Sequence, residues 1–556
     1  MGKGADEQTD HLMNKAHRGF AKAVFVTGQP LSLLEHPLWV EALQNLKPDY
    51  KPPTRRILAS SLLTLEFEET KLEIMERINS ATVLHLAIDG WSNLRNDSIM
   101  NIIIYTPKPF FYKFIDTKTN RHTAEYVCDK VSEVLEEIGS HKFFVIISDN
   151  ATNMVKCGRL LNEKYANVTW IGCLAHTLNL LIGDVIKVNV VLAIFHYVVE
   201  VVKKISKSHI LKSEFKRLSE DKSINVALVL PVKTRWGSYL HCLENFLKAK
   251  VILQTMVISD IRELDTYKEN ILNEAKWAAI ENHIRFFTPI VHWISKLEGD
   301  YCTIHLVYGA LLDIEELLNS RNAMDVLEDN LPQLRGKFLE RKQNALNNLH
   351  FAAVILDPKY RGSNLSGEDY LEGCNAIMNL ATTNDESINV LQELSEYKCR
   401  NRLYGKNIIW QAANTIDPKD WWMTFFEKTL LGQIAIKILT VPATSASVER
   451  SFSTFSHIHS RKRNKLTTER AGKICYISHN WKLMNENATR YSVEKADSSV
   501  NSQHETSNSI NLEISDSDDD FDLEPVDFRS VTEIIEEDNH SDRFTANDDD
   551  DPLNLE

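Results

Sequence analysis

Two aspartates stand out as groups that could do chemistry, because each closes a short apolar run. Thr82–Ser92 reads TVLHLAIDGWS, apolar from Val83 to Ile88 except for His85, and then reaches Asp89-Gly90. Residues 142–150 read KFFVIISDN and bring Asp149 to the same place in a second run. Runs of this kind are buried strands, and strand ends along one edge of an α/β sheet are where sites form. Two carboxylates on one such edge could serve a single site. The local alternative is open for both: Asp-Gly is a common turn pair, and Asp149 also suits a helix N-cap.

The elements that must position these acids follow in order. A helical pattern spans Leu31 to Ile78, broken by PDYKPPTRR. The period then changes, and Thr82–Asp89, Ser98–Thr106 and Phe110–Asp116 read as three short strands of an antiparallel meander. A helix over His122–Ile138 carries Val127, Val131, Val134, Leu135 and Ile138 on one face and ends at Gly139. A fourth strand holds Asp149, a helix follows to Lys164, a fifth strand spans Val168–Cys173, and a helix begins near Leu174. The fold class is therefore α/β, with a five-stranded mixed sheet flanked by helices. From Val190 to about Lys437 the chain is mostly helical and reads as an inserted domain, with Pro289 expected to kink one helix. Val441–Phe455 places a Pro and several small hydroxyl residues before an amphipathic helix, and a further helical pattern follows RKRNKL.

Composition sets the limits. The 556 residues are 43% hydrophobic and 25% charged, ordinary for a globular protein of several domains. Eight Cys are scattered without a CxxC pair, so a disulfide scaffold and a structural zinc site are not expected, and with no signal peptide the compartment is expected to be reducing. No apolar run approaches the roughly 20 residues that cross a bilayer, so no membrane partner is expected. The net charge of −14 is unevenly placed. Residues 496–556 hold 20 Asp and Glu against two Arg, whereas the remainder holds 57 acidic and 61 basic residues. The body could meet a polyanion; the tail could not.

The motifs together resemble those of transposases of the hAT superfamily. They are AIDGWS at 87–92, ISDNATNM at 147–154, CLAH at 173–176, TRWGS at 234–238, ILDPKY at 355–360 and SASVERSFS at 445–453, in matching order over about residues 31–485. The resemblance implies a ribonuclease H-like core interrupted by a large all-helical insertion, with Asp89, Asp149 and Glu449 as its catalytic, metal-holding triad. Two Mg²⁺ or Mn²⁺ ions about 4 Å apart would suit it, because in-line displacement at phosphorus charges both the attacking and the leaving oxygen. The family also associates an Arg-Trp pair with a flipped base, which points to Arg235 and Trp236. An indole can stack on an unpaired base, although a core Trp beside an exposed Arg fits the pair equally.

The remaining candidates are weaker in specificity. Cys173 and His176 are only two ligands where zinc needs four, or three and water. His176 reads as a site neighbour and phosphate contact, Cys173 as packing. Arg461, Lys462, Arg463 and Lys465 read as a solvated helix start, a phosphate contact or a nuclear import signal. The expected organisation is a disordered 1–20, a helical lead-in and dimerisation segment 21–79, the first part of the core 80–239, and the insertion 240–437. The end of the core with the dimerisation region follows at 438–490, then an acidic disordered tail 491–556. Expected partners are DNA at transposon ends and a second copy of the chain, in the nucleus. Relatives with a BED zinc finger carry Cys pairs ahead of the core, yet the first Cys here is Cys128. A truncated or domesticated copy without catalysis, acting as a dimerising regulatory protein, is the alternative expectation.

Overall fold

The apolar runs between Leu84 and Gly172 join in one sheet. In the computed structural model, which describes residues 2–92, 98–117, 122–231, 236–259, 262–299, 302–458 and 466–485, the strands are β1 (Leu84–Ser92), β2 (Ser98–Tyr105), β3 (Pro109–Asp116), β4 (Phe143–Ser148) and β5 (Thr169–Gly172). Their order is β3-β2-β1-β4-β5, antiparallel across β3, β2 and β1 and parallel between β1 and β4. This is the expected mixed, ribonuclease H-like sheet. One detail differs: β1 runs three residues past Asp89, because Gly90, Trp91 and Ser92 pair with Met100, Ile99 and Ser98 of β2. Asp89 therefore sits within a strand and not at its tip.

The helices follow in chain order: α1 (Gly2–Val26), α2 (Leu63–Ser80), α3 (Ala124–Ile138) and α4 (Thr152–Lys164), then α5 (Leu174–Ile186), α6 (Asn189–Lys207) and α7 (Glu274–Leu297). After them come α8 (Asn384–Cys399), α9 (Pro418–Phe426), α10 (Ala446–Ile458) and α11 (Thr468–Met484), with further helices between. Local signals set their ends. The Thr123 hydroxyl accepts from the N–H of Tyr126 at the start of α3, and Gly139, at φ +108°, ends it by donating to Leu135 O.

Chain contacts divide the protein into two units. The first comprises Met1–Asp149, Asn153–Ile171 and Ser445–Leu523; the second comprises Asn150–Thr152, Gly172–Thr444 and Glu524–Glu556. In the first unit α11 covers the edge strand β3. The Asn480 amide donates to Phe111 O at 2.9 Å and accepts from Phe111 N–H at 2.9 Å, so one side chain stands in for a sixth strand at that residue. Gly472 lets the helix come this close, since a Cβ there would lie 2.5 Å from the Phe114 ring. Capping both backbone groups of an edge strand removes a pairing template for other chains.

Two expectations are corrected. Within the segment 1–20, expected to be disordered, the described residues from Gly2 onward belong to α1. Their polar composition hides the reason, which is non-local: Ala21, Val24 and Phe25 are buried, Arg18 pairs with Glu66 and Glu69 of α2, and Val26 O accepts from Ser478 of α11. The helical unit also begins at Gly172, well before residue 240. Leu178, Leu181 and Val185 of α5 and Val191, Val198 and Val202 of α6 are buried in the same apolar cluster as Trp277, Ile280 and Phe287 of α7. Helical periodicity locates those faces but does not say which core they enter. Pro289 lies inside α7, which the structure carries through to Leu297.

Candidate acidic site on β1, β4 and α10

Asp89 and Asp149 are brought together by register. The parallel pairing of β1 with β4 sets Ala87 beside Ile147, and two residues further on each strand leads to Asp89 and Asp149 on the same face. On the other side of β1, Asp89 stands opposite Asn101 of β2. Both aspartates are half-buried.

The third acid arrives on α10, which contacts β1 and β2. Four side chains lay the helix along the strands. Tyr105 Oη and Ser447 Oγ are 2.6 Å apart, and the Asn101 amide donates to Ser451 Oγ at 2.8 Å. Trp91 stacks on Phe452 with ring centroids 5.6 Å apart and meets the edge of Phe455 at 5.7 Å. Tyr105, Asn101 and Trp91 alternate along one face of the β1–β2 ladder, so Ser447, Ser451 and Phe455 follow it in the same order. Glu449 lies between the two serine anchors, exposed, one turn before Phe452.

Electrostatics link the three acids. The Asp89 carboxyl is pushed well above the ordinary carboxylate range, first by burial and then by the negative charges of Asp149 and Glu449. The Gly90 N–H, donating to Asp89 Oδ1 at 2.7 Å, works against that shift without cancelling it. His122 closes the far side of this turn: a Cβ on Gly90 would lie 3.0 Å from His122 Nδ1. The ring is fixed through Nε2 by the hydroxyls of Ser98 and Thr117, each at 3.0 Å, and burial lowers its pKa. Beside β4, Trp170 Nε1 donates to Ser148 Oγ at 2.9 Å, next to Asp149.

The donor set, three carboxylates, suits hard divalent cations bound through oxygen. Among the described residues no three His, Cys, Asp or Glu side chains are gathered tightly enough to enclose one ion. The carboxylates thus share a neighbourhood and an electrostatic coupling without forming a closed cage.

The other sequence-derived candidates fall elsewhere. His176 is half-buried on the first turn of α5, in the second unit. Cys173, just before it, is fully buried, in keeping with packing. Arg235 lies outside the described residues; Trp236 opens the helix Trp236–Lys248, and its side chain is likewise outside them. Arg461, Lys462, Arg463, Lys465 and the tail 491–556 are also outside. Asn101, Tyr105, Ser447, Ser451 and Trp91 were missed by sequence reading. A signal for one was present, since Asn101 is the only amide in the otherwise apolar run Ile99–Tyr105.

Three stretches of the chain match described families. Residues 53–206 match a domain of unknown function, DUF659; residues 171–286 match the ZBED1 RNase-like helical domain; residues 394–481 match the hAT family C-terminal dimerisation region. A curated relative, the "Putative AC transposase" of Zea mays, is 21% identical over 514 residues, covering 80% of this chain. The chain spans 63% of that relative's length. The dimerisation match supports self-association. Among the described residues no single helix is long and apolar enough to cross a membrane.

Proposed function

We propose that the chain, which is similar to hAT-family transposases, cleaves and transfers DNA strands at Asp89, Asp149 and Glu449 with divalent cations. One observation carries this reading: the Asp89 carboxyl is raised well above its ordinary range by desolvation and by the negative charges of Asp149 and Glu449. A carboxyl in that position ionises more readily once positive charge is close by. Mg²⁺ or Mn²⁺ held by the three carboxylates would supply the charge that balances the attacking and leaving oxygens of a phosphodiester.

The chain's own residues do the rest. Because the Asp89 pKa is raised, cation binding by the three carboxylates would be favoured as pH rises. The Gly90 N–H fixes one Asp89 oxygen and leaves the other free to turn. The Asn101–Ser451 and Tyr105–Ser447 contacts set the height of Glu449 along β1. Trp91 with Phe452 and Phe455 shuts water out on one side of the strand. Arg235, Trp236, His176, Arg461, Lys462 and Arg463 are assigned to holding DNA, and the site of action is the nucleus.

The test is strand nicking by the purified protein on duplex DNA bearing the inverted repeats that flank its gene, with Mg²⁺ or Mn²⁺, beside Asp149→Asn. Cation-dependent nicking that the substitution abolishes is expected. Absence of such nicking, with DNA binding and self-association retained, selects the second reading, a non-catalytic dimerising protein. That reading has one structural observation in its favour, the lack of a closed acidic cage among the described residues.

A further inference from the structure

In the second unit two arginines pack on one indole. Arg361 and Arg400 place their guanidinium carbons 4.9 and 4.6 Å from the centroid of the Trp410 ring. The indole is itself fixed: its Nε1 donates to Tyr404 O at 2.7 Å, and Tyr397 and Trp421 pack on it at 5.5 and 5.3 Å. Tyr397 and Trp421 are fully buried, so the platform beneath the arginines is rigid. Arg361 donates to Pro358 O at 2.9 Å, and neither it nor Arg400 has a carboxylate partner among the described residues. Burial, and then the charge of Arg400, depress the Arg361 pKa.

Both arginines, and Arg402 beside them, adopt left-handed backbone, at φ +48°, +54° and +47°. A non-glycine residue there costs on the order of 1 kcal/mol, and three of the five such residues in the described chain are these arginines. For Arg400 the conformation also ends α8. Arg402 differs in one respect, because its guanidinium is neutralised by Glu396 at 2.7 Å.

We propose that Arg361 and Arg400 form a docking point for the phosphodiester backbone of DNA. The proposal rests on the reading of this chain as a DNA-acting protein and adds a contact remote in sequence from the acidic residues. Two unpaired, planar donors suit phosphate oxygens, which accept in the forked geometry that guanidinium offers. Trp410 is 6% exposed and cannot stack on a base, so the contact carries charge but no sequence information. Two like charges that act on each other without a carboxylate partner become less costly once an anion binds nearby.

The experiment measures fluorescence anisotropy of a labelled 30-base-pair duplex of arbitrary sequence against the full chain at several salt concentrations, without divalent metal. The double variant Arg361→Gln/Arg400→Gln should lower the slope of log K against log salt by about 1.8 and bind about 60-fold more weakly at 0.1 M salt. Arg400→Gln alone, at an exposed position that tolerates change, should lower the slope by about 0.9, and the paired Arg402→Gln by nothing measurable. Circular dichroism melting separates loss of contact from loss of fold. An unchanged slope in the melted-normally variants overturns the docking point and leaves the proposed function standing. Failure of nicking with binding and slopes as stated removes the catalytic reading and keeps the docking point. A wild-type chain that binds no duplex overturns both. A change in oligomer size with unchanged DNA binding, or binding of poly-glutamate in place of DNA, assigns the arginines to a protein contact and overturns the proposal as well.

Discussion

Asp184 and Asp89 are both acids withdrawn from solvent, and their surroundings are opposite. Asp184, on α5, is 8% exposed and is met by Arg341 at 2.8 Å and Lys337 at 3.4 Å. Asp89 meets Asp149 and Glu449. The first acid is complete within the fold and ties α5 to the helix Leu331–Ala345. The second is incomplete, because burial and neighbouring charge both oppose its ionisation. An acid of the second kind gains most from the arrival of positive charge, which is why the proposed site is placed at Asp89 and not at Asp184.

The comparison breaks most visibly at Glu449. As an exposed helix residue it should contribute almost nothing to the fold, so Glu449→Gln is expected to leave the melting temperature unchanged while lowering cation-dependent nicking about 10³-fold or more, the loss expected when a charge-balancing ligand is removed. Equal activity in this variant would return Glu449 to the solvated surface. Asp184→Ala should do the reverse. It strands two cations that are partly exposed, at 44% and 29% of their side-chain surface, and should cost about 2 kcal/mol in urea unfolding, discounted for that exposure, with nicking per folded molecule preserved.

The next effect is smaller and tests the link between the two strands and the helix. Asn101→Ala removes the donor to Ser451 and opens a small gap in a position with no exposure, for a loss of about 1–3 kcal/mol. Because Ser451 sits two residues from Glu449, activity should fall more than stability predicts. Asn101→Ser, whose hydroxyl is too short to reach Ser451, should show the same loss of activity; full activity in it would mean that the contact does not set the height of Glu449.

These residues also show what could be read in advance. Asp89 and Asp149 were legible because each ends an apolar run in which side chains alternate, a pattern confined to about eight residues. Glu449 was legible only through resemblance. Its position depends on Tyr105 and Asn101, which lie more than 340 residues earlier and bond to Ser447 and Ser451, and on Trp91, which packs on Phe452 and Phe455. The same limit hid α1 and the start of the helical unit: composition and period describe one element, whereas Phe25 and Leu178 are buried by partners that no local window contains. β1 ran past Asp89 for a related reason, since Gly90 suggests a turn in isolation and a ladder residue once Met100 is opposite.

The smallest expected effect is the most direct measure of the contrast, and its sign is unusual. The folded-state pKa of Asp89 is raised, so its contribution to stability is fully present below the unfolded value of about 4 and is lost as pH rises through the folded one. At neutral pH the side chain is therefore a burden on the unit that holds it. Asp89→Asn keeps the shape and can still accept from the Gly90 N–H, while it removes the charge that Asp149 and Glu449 oppose. The variant should be more stable than the wild type by about 1 kcal/mol near pH 7, inactive in nicking, and no more stable at pH 3, where the wild-type carboxyl is protonated in both states. Adding Mg²⁺ should narrow the neutral-pH difference from the wild-type side, because only the wild type has the third negative charge to receive it. A variant that is less stable than the wild type at pH 7 and shows no dependence on Mg²⁺ would place Asp89 with Asp184, as an acid whose partners are already present in the fold.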